Sequence, residues 1–133
     1  MNEDKGAIAE GLDLTAVTTG LVRDGMDQRE AVRATEMYRQ FLATSAQYPH
    51  AVLVPTKLVD KAWHAHMALP RQYAADCAAL TGDVIDHKPG VYGTAEWLLA
   101  YDLTRKLVPY GDLMARDAMA TDPMAGAECF RMP

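Results

Sequence analysis

Val59-Asp60-Lys61-Ala62-Trp63-His64-Ala65-His66-Met67 is the stretch on which the reading of this chain turns. Set on a helix at about 100° per residue, Leu58, Val59, Ala62, Trp63 and Leu69 form one apolar arc with His66 near its middle. Asp60, His64 and Met67 gather on an adjacent edge. Asp60 and His64, one helical turn apart, lie within pairing reach. His66 is expected to turn inward, where an unpaired imidazole costs about 1–3 kcal/mol. A partner is available in the next segment, where Tyr73, Cys77 and Leu80 share a helical face and Pro70 marks the bend between the two helices.

Three of the four histidines and one of the two cysteines fall within residues 64–87. Imidazole and thiolate are the common protein ligands of zinc and related metals. The spacing therefore predicts a transition-metal site, for zinc or iron, built from His64, His66, Cys77 and His87. Asp60 orients His64 in this reading, and Tyr73 stands nearby as a proton donor, so Asp60, His64 and Tyr73 are the candidate catalytic groups. A regular helix separates His64 and His66 by roughly 160°, so one ion holds both only if the helix tightens near Pro70. The spacing is not that of a zinc finger. Two other readings stay open. In one the motif is a metal-free packing element of an interaction module, with His66 a satisfied core histidine and Cys77 a small buried hydrophobe. In the other, Asp60–His64 is the base of a metal-free enzyme.

Around this segment the chain is punctuated as helices. Asp13 precedes a short helix to Arg23, closed by Gly25. Asp27 with Glu30 starts a longer one over Gln28–Ala46. Thr56 caps Lys57–Leu69, Pro70 opens a helix ending at Gly82, and Thr94 caps a last one to about Val108. Ala51–Val54 is a short apolar run before Pro55, too isolated to imply a sheet, and residues 83–93 read as a loop. The expectation is an all-α single domain of about five helices over residues 1–111, with a weakly ordered, Met-rich tail at 112–133. Trp63 and Trp97 are core candidates.

The chain has 133 residues, half of them hydrophobic, with a net charge of −5 concentrated towards its two ends. A single core fits this length. With no basic face, nucleic acid is not an expected partner, and no run approaches a membrane span. Two cysteines make no disulfide scaffold. These features point to a cytoplasmic protein whose partner is a small-molecule substrate or another protein.

The order Val59-Asp60-x-x-Trp63-His64-x-His66-Met67, then Tyr73-x-x-Asp76-Cys77, Gly82 and His87-x-Pro89, resembles the glycine-rich-domain-containing-protein-like family. Tyr38, Phe41, Leu42 and Val54-Pro55 resemble the family's lead-in, so the likeness covers roughly residues 37–89. It implies a mainly helical domain and brings little biochemistry with it.

Overall fold

A computed structural model describes residues 5–133; residues 1–4 of the expected domain lie outside the described residues. The described residues form six α-helices and one two-stranded sheet: α1 Lys5–Gly11, α2 Thr15–Arg23, α3 Gln28–Gln47, α4 Lys57–Met67, α5 Pro70–Thr81, β1 Asp86–Pro89, α6 Ala95–Leu107 and β2 Cys129–Met132. No helix among them is long and apolar enough to cross a membrane.

Local chemistry sets most of the boundaries. Asp27 accepts from the Arg29 and Glu30 amides at the start of α3. Thr56 and Thr94 do the same for Val59 and Trp97, satisfying donors that the first helical turn leaves free. Pro70 occupies the first turn of α5, and Gly82 ends it with φ of 86°, a left-handed conformation that favours glycine. The long helix α3 packs against α1, α2, α4 and α5. Its inward face carries Ala34, Tyr38, Phe41 and Leu42, all fully buried.

Three expectations are corrected. The domain is mostly helical but not all-α, because β1 and β2 pair antiparallel, with His87 opposite Arg131 and Pro89 opposite Cys129. It has six helices. α1 is short, and it is held by packing on α3 and α5 and by Arg39. The Arg39 guanidinium donates to the carbonyls of Ala9 and Leu12 at 2.6 and 2.8 Å, charge well placed at a helix C-terminus.

The third correction concerns residues 112–133, expected as a loose tail. This segment runs back over α6 and along the Ala51–Pro55 run. Leu53, read as too isolated for a sheet, bridges Arg131, and Thr56 bridges Gly126. Trp97 donates its indole N–H to the Ala127 carbonyl at 2.9 Å, and Phe130 is fully buried. The Arg131 guanidinium donates to the Pro49 and Ala51 carbonyls at 2.9 and 3.0 Å, just beyond the end of α3. Each of these contacts joins residues far apart in the chain, so none leaves a periodic signal.

Gly126 shows how close the return is. A Cβ there would overlap the Trp97 ring, and both backbone and ring are fixed by the hydrogen bonds beside them. Gly126→Ala is expected to cost about 1–3 kcal/mol by overpacking. A thermal melt of the variant equal to wild type would show that the segment yields.

Candidate metal centre

α4 carries two polar sites on different faces. The inner one centres on His66, which is fully buried. Its Nδ1 lies 2.6 Å from the Tyr38 hydroxyl on α3, and its Nε2 lies 2.8 Å from Asp76 on α5. Burial lowers the pKa of His66 against the pull of the Asp76 hydrogen bond. Burial therefore favours the neutral ring. A carboxylate can only accept, so Nε2 carries the proton and donates to Asp76, while Nδ1 accepts from Tyr38. Burial likewise holds the Tyr38 hydroxyl protonated, raising its pKa well above the ordinary tyrosine value.

Trp63 and Tyr73 line the next layer. The indole N–H donates to the Tyr73 hydroxyl at 2.9 Å, and that hydroxyl donates to the Ile85 carbonyl at 2.5 Å. Tyr73 is thus engaged in both roles, and burial raises its pKa. Cys77 is buried beside it, and its thiol pKa is raised mainly by that burial.

The outer site is built on Asp60. Its Oδ1 lies 3.1 Å from His87 Nε2 and 3.2 Å from Cys129 Sγ, and its Oδ2 lies 3.4 Å from His64 Nε2. The geometry follows from the sheet. His87 and Cys129 sit diagonally across the β1–β2 ladder, on residues of the same face, within side-chain reach of each other. One donor atom from each of Asp60, His87 and Cys129 lies within 4.8 Å of the others. Among the described residues this is the one group of three or more such side chains so arranged. His87 is held by its neighbours, edge-on to Trp63 at 4.6 Å and to His64 at 4.8 Å between ring centroids. Exposure grades outwards: the Cys129 residue is 2% exposed, the His87 side chain 11%, and the His64 side chain 58%.

The structure therefore brings together His64 and His87 of the expected ligands, with Asp60. It places His66 and Cys77 elsewhere. Both ring nitrogens of His66 are already used, and its face of α4 is turned into the core. A chain of contacts from His87 to His66 runs through Trp63 and Tyr73. Cys129 joins the group instead. The sequence holds little sign of this, because the cysteine lies 42 positions after His87 and is brought there by strand pairing.

The order of the three groups limits the chemistry. In a nucleophilic Cys–His pair the imidazole takes the thiol proton. Here the thiol donates to the Asp60 carboxylate. Burial, and then the charge of Asp60, raise the Cys129 pKa far above that of a free thiol. Cys129 is not poised as a free nucleophile, since reactivity requires thiolate.

Two variants test the inner site. His66→Ala leaves Tyr38 and Asp76 without their buried partner and is expected to cost about 3–5 kcal/mol. Tyr38→Phe, which removes one hydroxyl, is expected to cost about 1–3 kcal/mol. Denaturant unfolding measures both, and a change under about 0.5 kcal/mol in each would contradict an anchoring role for His66. Comparison of the chain with family models, with curated proteins and with solved structures returns no match.

Proposed function

We propose that the protein is a metal-binding helical domain that holds one transition-metal ion, zinc by the nature of its donors, between Asp60, His87 and Cys129. The observation that carries this reading is the convergence of a carboxylate, an imidazole and a thiol, from α4, β1 and β2, within 4.8 Å. Zinc bonds of about 2.0 Å to nitrogen and oxygen and about 2.3 Å to sulfur put tetrahedral ligands about 3.3 Å (N to O) and about 3.5 Å (S to O) apart. The His87–Asp60 and Cys129–Asp60 separations of 3.1 and 3.2 Å are a few tenths of an ångström short of this. A modest opening of the group about an ion suffices. Cys129 would become a ligand when its thiol proton leaves, and His87 when its ring hydrogen sits on Nδ1, leaving Nε2 free; a cation is what would stabilise the buried thiolate.

Three protein ligands leave a fourth position for water or substrate. His64, held by the second oxygen of Asp60, is the adjacent exposed base, and it would take a proton from a metal-bound water in a hydrolytic reaction.

A second reading has an observation of its own. Asp60 already satisfies both Cys129 and His87 as hydrogen-bond acceptor, so the trio works equally as a metal-free clamp between α4 and the sheet. Elemental analysis of tag-free protein distinguishes the two. The metal reading expects one zinc per chain, falling below a tenth of that in His87→Ala and Cys129→Ser and retained in Cys77→Ala. Zinc content unchanged by the first two variants, or absent after reconstitution, would favour the clamp.

The ion would also bind the C-terminal segment to the helical body, because Cys129 is on β2 and Asp60 on α4. Zinc at a hundredfold excess over its dissociation constant should stabilise the fold by about 2.7 kcal/mol. Chelation should speed amide exchange at residues 126–132 first. Uniform exchange with and without chelator would contradict this linkage.

A further inference from the structure

A cleft of about 660 Å³ opens between the turn joining α2 to α3 and the outer edge of α4. Asp24, Asp27 and Glu30 lie on one wall, and Lys61 and His64 on the other. The side chains on both walls are exposed, whereas Leu21 is buried and Met26 and Ala65 are half-buried, so the bottom of the cleft is apolar. The Asp27 carboxylate is occupied by the amides at the start of α3. Asp24 and Glu30 remain, and among the described residues no ion pair joins either of them to Lys61.

Two walls of opposite charge over an apolar floor select a ligand that carries both charges. Phosphate or nucleic acid would meet the carboxylates, and a simple cation would meet Lys61. A molecule with an ammonium at one end, a carboxylate at the other and an apolar side chain matches all three features. The volume suits a molecule of that size. His64 lines this cleft and also contacts Asp60, so a ligand seated here lies next to the proposed metal ligands.

We infer that the cleft binds a small zwitterion of amino-acid or dipeptide size. Its ammonium faces Asp24 and Glu30, its carboxylate faces Lys61 and His64, and its apolar side chain lies over Leu21 and Met26. That this ligand is the substrate of the centre rests on the metal-binding proposal; the binding itself does not.

The test is titration of nitrogen-15-labelled protein with leucine, N-acetylleucine and leucinamide, with zinc and again after chelation, read from amide shifts at Asp24, Gly25, Glu30 and Lys61. Leucine should move these signals in a saturable way, and each blocked derivative should bind about threefold to fivefold more weakly. Glu30→Gln should weaken leucine and leucinamide by a similar factor while sparing N-acetylleucine. Lys61→Met should weaken leucine and N-acetylleucine while sparing leucinamide. Equal binding of the three probes, or no saturable shift from leucine, would overturn the inference. Zinc uptake without any leucine response removes the cleft proposal and leaves the metal centre. A leucine response in protein that takes up no zinc does the reverse.

Discussion

His66 stands between Tyr38 and Asp76, and this one buried imidazole joins three helices. A ring with two polar nitrogens in an apolar core is stabilising only when both are paired, since each unpaired group costs about 1–3 kcal/mol. Meeting both partners at 2.6 and 2.8 Å sets the rotation of α4 about its axis as well as its distance from α3 and α5. Trp63 and Tyr73 extend the restraint, with their own hydrogen bonds ending on the Ile85 carbonyl just before β1. Once α4 is held in that rotation, Asp60 and His64 have no choice but the outer edge.

The outer site depends on this orientation and on a second constraint, the return of the chain end. β2 reaches β1 because Arg131 is held by carbonyls following α3, Phe130 is buried, and Gly126 lets the backbone pass under Trp97. The pairing then puts Cys129 and His87 on one face of the ladder, above Asp60. A carboxylate that accepts from a thiol and an imidazole makes a closed polar cluster in a setting that is largely buried. The same three groups are the ligand set of the proposed metal site. On the metal-binding proposal, the hydrogen-bonded cluster and the metal centre would use the same three side chains.

Helix boundaries were legible wherever a capping group acts on its own neighbours. Asp27, Thr56, Thr94, Pro70 and Gly82 each sit where the periodicity placed them, and the inward turn of His66 followed from its angle on the wheel. Its partners were another matter. Tyr73 does pack edge-on to the ring at 4.9 Å, but the hydrogen bonds go to Tyr38 and Asp76. Side-chain length and helix crossing settle that choice, and neither is visible as spacing. α1 is a similar case: it is secured by Arg39, 27 positions beyond Leu12.

Residue order alone was enough to establish a helical domain, an interior histidine and an Asp60–His64 edge, because each depends on interactions within one or two turns of backbone. It could not assign Cys129 to that edge or His66 away from it. Those placements come from contacts across 69 positions, between Cys129 and Asp60, and across 28, between His66 and Tyr38. Such contacts form when the folded core brings distant segments within a few ångströms, and nothing in local periodicity records which segments those are.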